Sequence, residues 1–122
     1  MTLQELYESI GGDYSQATRV LRMDKLIDKH IRKLTSNGVV DKLIAAGDSM
    51  DPTELFETAH AVKGVCANLG LTNIASVASD IAEEFRPGNE RHMSDEEVKA
   101  KLNEVDEMYK VVSEGIQKYS EA

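Results

Sequence analysis

Apolar residues recur at alternating intervals of four and three residues, and this periodicity constrains the fold more than any other feature of the sequence. An α-helix completes a turn in about 3.6 residues, so such a series lies along one face of a helix. The alternation is longest near the C-terminus, where it runs through Val98, Leu102, Val105, Tyr109, Val112, Ile116 and Tyr119. The sequence therefore predicts a long final helix with a single apolar stripe.

Two shorter segments show the same alternation. The first contains Leu55, Ala59, Val62, Cys66 and Leu69, and the second contains Leu71, Ile74, Ala78, Ile81 and Phe85. Asp51 and Pro52 precede the first segment, and they form a start signal because Asp caps helix N-termini and Pro suits the first helical position. Gly70 lies between the segments, and glycine commonly ends helices. We expect two antiparallel helices here.

The N-terminal part of the chain is less regular. Residues 15–34 are predicted to form another long helix. Its apolar side contains Val20, Met23, Ile27, Ile31 and Leu34. The stretch "VVDKLIAAGD" is predicted to add another turn or two. The opening "LQELYESIGG" is predicted to be a short helix closed by Gly11 and Gly12, which makes residues 1–12 an N-terminal arm.

Four long helices with short connections and one apolar stripe each are typical of a bundle. We therefore predict an all-α protein, an antiparallel up-and-down four-helix bundle with a short N-terminal helical arm. An aromatic content of 5% and only two prolines also favour helices over a β-sandwich or barrel. No linker or internal repeat divides the sequence, so residues 1–122 are expected to form a single domain.

The charge and the cysteine content narrow the classes of function. A formal net charge of -8 repels phosphate backbones and anionic lipids, which argues against nucleic-acid or membrane binding. The partners are therefore expected to be proteins. The single Cys66 cannot form an internal disulfide, and the sequence shows no leader or membrane-spanning segment. We expect a monomer in the cytoplasm.

One outward strip of the helix that follows Pro52 carries unusual residues. His60, Lys63 and Gly64 lie together on the face opposite the apolar stripe, between Phe56 one turn earlier and Ala67 one turn later. A glycine inside a helix costs about 1 kcal/mol relative to alanine, so Gly64 requires a reason. Its missing side chain would let a partner, or a group on the histidine ring, come close. The strip is therefore predicted to be a docking surface.

These residue types suit a phosphoryl group on the imidazole. Neutral imidazole is nucleophilic near neutral pH and forms a phosphoramidate, and Lys63 would place a positive charge beside the phosphoryl oxygens. The chain has no Walker loop, no kinase glycine loop and no paired-acid magnesium site. The sequence therefore predicts a carrier that is not an enzyme in its own right and that holds no metal or cofactor.

The run "AHAVKGVCANLGL" resembles the signature of histidine-containing phosphotransfer (HPt) domains, with His60, Lys63, Gly64 and Gly70 at the matching positions. The resemblance implies that His60 carries a phosphoryl group between a donor and an aspartate of a receiver domain, in a response regulator or a hybrid histidine kinase. It also implies that the receiver brings Mg²⁺ and the catalytic groups. Lys63 would then neighbour the phosphoryl oxygens, and Gly64 would be the point of clearance.

The sequence departs from the family pattern at one position. Many members have a Gln or Glu on the following helix that hydrogen-bonds the histidine ring, and the alignment places Ala82 there. Glu83 or Ser79, one turn or less away, are the candidate substitutes. Which residue orients the His60 ring is open at this point.

Two alternatives remain. The first is a non-phosphorylated helical adaptor that binds receiver or kinase domains. The second is a fragment of a histidine kinase, which would form a dimer through the helices that carry His60. The other histidines, His30 and His92, are expected to lie at the surface, and Cys66 is expected to pack in the core.

Overall fold

The chain folds into helices throughout the residues that the structure, a computed structural model, describes, which are 1–121. Over that range it forms seven helices: α1 (Leu3–Ile10), α2 (Tyr14–Leu21), α3 (Asp24–Leu34), α4 (Val39–Ser49), α5 (Pro52–Asn68), α6 (Thr72–Phe85) and α7 (Asp95–Glu121). No strand occurs among these residues. The prediction of an all-α protein is confirmed.

The last four helices enclose most of the core. Helices α5 and α6 form a hairpin, α4 packs against α5 and α7, and α7 packs against α6. The apolar stripes predicted for α5, α6 and α7 all face this core. Their most deeply buried members are Leu55, Ala59, Val62, Cys66, Ala78, Ile81, Val98 and Val105, each 0% exposed. The periodicity in the sequence therefore identified the buried faces of these three helices.

The prediction of one helix over residues 15–34 is wrong. The chain forms α2 and α3 instead, separated at Arg22, whose φ of 70° lies in the left-handed region. The Arg22 N–H donates to the Thr18 carbonyl at 2.9 Å and ends α2, and α3 starts after Met23. Val20 and Met23 are therefore 41% and 55% exposed, and only the α3 members of the expected stripe are buried.

The segment after residue 38 is a longer helix than predicted. Helix α4 has 11 residues, where the sequence analysis expected a turn or two. Val40, Leu43 and Ala46 are buried on it, and a Cβ on Gly47 would lie 2.6 Å from Leu102, so glycine permits the close approach to α7. Helix α4 therefore packs beside α5 and α7, although the sequence analysis counted residues 15–34, and not this segment, among the four long helices.

The N-terminal helix is anchored to the rest of the protein. Leu6 and Tyr7 are buried, and α1 packs on α7 beside Gly115. The Tyr7 hydroxyl donates to the Leu69 carbonyl at 2.6 Å, which joins α1 to the end of α5. None of the helices within residues 1–121 combines the length and the hydropathy needed to span a membrane.

Candidate functional site

Helix α5 presents one face to the core and the opposite face to solvent. Its first turn is held by Asp51, whose side chain accepts from the Thr53 N–H at 3.0 Å, and Pro52 occupies the first turn. The buried stripe fixes the rotation of the helix about its axis, because turning it would expose that stripe to water. His60 and Gly64 are exposed as a result, so the predicted outward position of both residues is confirmed.

The His60 ring lies against an aromatic side chain of its own helix. Its centroid is 5.7 Å from that of Phe56, and the two ring planes differ by 22°, which is a stacked arrangement. The residues are one turn apart, which is the spacing at which helical side chains meet. None of the hydrogen bonds formed around this part of α5 and α6 involves the His60 ring. The stack is therefore its main contact within the described residues.

Arg86, the residue that follows the end of α6, also lies against Phe56. The Arg86 guanidinium carbon lies 5.3 Å from the Phe56 ring centroid. Arg86 also donates to the Glu83 carboxylate from Nη2 at 2.7 Å and from Nε at 3.1 Å. This hydrogen bonding lowers the pKa of Glu83, and the nearby Lys63 and His60 side chains lower it further. Glu83 therefore interacts electrostatically with Arg86 and with Lys63 and His60 on α5.

The three residues considered as partners of the His60 ring differ in burial and in hydrogen bonding. Ala82 is fully buried and has no polar side-chain group. Ser79 is half-buried. Glu83 is close enough for its pKa to respond to His60, but its carboxylate accepts hydrogen bonds from Arg86. The sequence analysis missed Arg86, and the available signal was a cation one helical turn after position 82.

The surface next to His60 is open at Gly64. A Cβ built at this position would meet no atom within 4 Å, apart from its own helix backbone and chain neighbours. The missing side chain of Gly64 therefore does not accommodate another part of the same protein. Lys63 and Ala67 are half-buried beside this opening. We name the strip formed by Phe56, His60, Lys63, Gly64 and Ala67 the α5 outer face.

Replacing Gly64 by alanine is expected to raise the free energy of unfolding by about 1 kcal/mol, since alanine is the better helix former and the space is empty. Urea unfolding followed by circular dichroism would measure it. Ala61→Gly is the matched control, because Ala61 is exposed on the same helix, and it should lower stability by a similar amount. A loss of stability in Gly64→Ala would mean that the open space at position 64 is filled in solution.

The other residues considered for chemistry lie elsewhere. His30 on α3 and His92 in the segment between α6 and α7 are both exposed and are not part of the α5 outer face. Cys66 is fully buried, and burial raises the pKa of its thiol to about 12. It therefore stays protonated near neutral pH and is a poor nucleophile. Within residues 1–121, no three His, Cys, Asp or Glu side chains group to hold a metal ion.

Comparison with known proteins identifies the class to which this helical fold and exposed histidine belong. The sequence model of the Hpt domain matches residues 15–115, a range that extends from α2 through most of α7. No curated protein and no solved structure matched the chain. Because the match covers most of the sequence, the chain belongs to the Hpt domain family. Such domains are phosphoryl carriers in two-component phosphorelays and interact with receiver domains.

Proposed function

We propose that this chain carries a phosphoryl group on His60, between a donor and a receiver-domain aspartate of a multistep phosphorelay. The observation that supports this most is the exposed imidazole beside the open space at Gly64, on a helix whose opposite face is fully buried. A large partner can reach such a ring without any movement of the bundle. The family membership supplies the class of reaction.

The transfer itself is a substitution at phosphorus. A ring nitrogen of His60 attacks the acyl phosphate of a receiver aspartate, the phosphorus–nitrogen bond forms, and the phosphorus–oxygen bond to the carboxylate breaks. Lys63 and Arg86 contribute positive charge beside the phosphoryl oxygens. The empty space at Gly64 admits the partner's backbone, while Phe56 and Ala67 provide apolar contact. Transfer onward to a second receiver reverses these bond changes.

The Mg²⁺ that such transfers use is proposed to come from the receiver domain. Lys63 lies close enough to Glu83 to lower the pKa of its carboxyl group. Arg86 forms an ion pair with the same carboxylate. Lys63 and the Glu83–Arg86 pair together carry a net positive charge near the ring, which disfavours a divalent cation there and favours an anion. We further propose that α4 to α7 form an antiparallel up-and-down bundle and that the chain acts as a monomer in the cytoplasm.

The direct test uses a receiver domain phosphorylated with labelled phosphate. The purified chain should take up label that is labile in acid and stable in base, and peptide mapping should place it on His60. The receiver should lose the same amount of label. Label on another residue would refute the assignment of His60, and no transfer from any receiver tested would refute the proposed function. Size-exclusion chromatography of the same sample would reveal the dimer that a kinase fragment requires.

A further inference from the structure

We propose that Phe56, held in place by Arg86, orients the His60 ring for phosphoryl transfer. This inference rests on the proposed function and adds a positioning residue to it. The hydrogen bonds formed by neighbouring side chains do not reach the ring, and position 82 on the facing helix is an alanine. An exposed histidine on a helix would otherwise sample more than one side-chain rotamer. The stack with Phe56 is the contact that limits this rotation.

Phe56 and Gly64 flank His60 along α5, and their positions determine from which side the His60 ring can be reached. Side chains on a helix lean toward its N-terminus, so His60 leans toward Phe56, which lies one turn earlier. Gly64 lies one turn later and leaves that side empty. Phe56 therefore stacks against the imidazole, while the side facing position 64 stays open. A phosphodonor meets the ring in a restricted orientation, which favours reaction.

Phe56 is itself held by two further contacts. It is half-buried and packs against the hydrophobic core. The Arg86 guanidinium lies over it at 5.3 Å and is fixed in turn by the ion pair with Glu83 at 2.7 Å. A cation over an aromatic face is attractive. The series Glu83, Arg86, Phe56 and His60 thus connects α6 to the reacting ring without a hydrogen bond to the imidazole.

The test removes the aromatic face and keeps the apolar volume. Phe56→Leu removes the stack, Phe56→Tyr retains it, and Ala61→Ser is the control, because Ala61 is exposed on α5 but is not part of the α5 outer face. All are made in a His30→Gln, His92→Gln background, so that His60 is the only histidine. Because Phe56 also lies on the proposed docking strip, the donor must not require docking. Phosphoramidate is a suitable small-molecule donor, because the His60 ring nitrogen displaces ammonia from the phosphorus of phosphoramidate.

Two readouts separate positioning from docking. The carbon-bound protons of the His60 ring, observed by NMR before phosphorylation, should show an aromatic ring-current shift in the background protein and in Phe56→Tyr but not in Phe56→Leu. The rate of phosphorylation by phosphoramidate should fall about 10-fold in Phe56→Leu, because the ring then samples unproductive orientations. Phe56→Tyr should restore the rate, and Ala61→Ser should leave it unchanged.

Three results would contradict these expectations, and each has a different meaning. An unchanged phosphoramidate rate in Phe56→Leu would overturn the inference, whether or not the ring-current shift is lost. A fall confined to the transfer from a receiver would assign Phe56 to docking alone and would overturn it as well. If the background protein accepts phosphate from neither donor, the proposed function fails together with this inference. Failure of the inference alone therefore requires an active background protein.

Discussion

Replacing His60 by glutamine abolishes the uptake of acid-labile phosphate from a phosphorylated receiver; this is the expected result with the largest effect on function. Glutamine is polar and of similar length, but its amide has no nucleophilic ring nitrogen. His60 is exposed, and its main side-chain contact is the stack on Phe56. The free energy of unfolding should therefore change by no more than about 0.5 kcal/mol. Labelled transfer and urea unfolding measure the two effects separately.

The chain provides matched controls for this substitution. His30→Gln and His92→Gln make the same chemical change at exposed positions that are not part of the α5 outer face, so both should take up phosphate at the rate of the unmodified protein. The same series addresses the adaptor alternative. An adaptor would retain receiver binding and signalling output in His60→Gln, whereas a carrier loses its output even where binding persists. Uptake that survives in His60→Gln and disappears in His30→Gln or His92→Gln would reassign the phosphorylated residue.

Replacing Gly70 by alanine should cause the largest loss of stability. Gly70 joins α5 to α6 with a φ of +73°, and a Cβ there would lie 2.0 Å from the Asp13 carbonyl oxygen. The Asp13 N–H also donates to the Gly70 carbonyl at 2.7 Å, so the two backbones are held together. The left-handed conformation costs a non-glycine residue about 1–2 kcal/mol, and relieving a clash in a packed region adds about 1–3 kcal/mol. We expect a loss of about 2–5 kcal/mol in total.

A second glycine separates the two contributions. Gly38 has a φ of +71°, but a Cβ there would meet nothing within 4 Å. Gly38→Ala should therefore show the conformational cost alone, about 1–2 kcal/mol. The difference between the two variants in urea unfolding measures the contact between Asp13 and the α5–α6 turn. Equal losses would show that this contact relaxes without cost and that the close approach to Asp13 does not stabilise the fold.

The two motif glycines thus have different physical roles, although the sequence presents them in the same run. Gly70 is required by the fold, because its conformation and its neighbours leave no space for a side chain. Gly64 is helical and open, so the fold alone would be more stable with alanine. A residue that costs stability and fills no internal need is expected where a partner approaches. Sequence analysis expected Gly70 to end a helix and Gly64 to leave an opening, but it did not predict the close approach of Asp13 to Gly70.

Local sequence patterns predicted the helices whose formation depends on residues that are close together in the sequence. The stripe from Leu55 to Leu69 and the start signal at Asp51 and Pro52 specify α5, because both depend on residues within a few turns of one another. The same reasoning placed His60 and Gly64 on the outer side of that helix. It failed at Arg22, since the apolar spacing continues across the point where the backbone turns and α3 leaves the direction of α2.

The sequence by itself determined that the chain is helical, which face of each long helix is buried, and that a histidine with a lysine and a glycine lies on an outer face. Only the tertiary structure decided that α4 packs beside α5 and α7, that Asp13 closes on Gly70, and that Arg86 reaches Phe56 from α6. The physical reason is range. Helical periodicity is a property of neighbours along the chain, whereas these contacts depend on how separate helices pack around a common core.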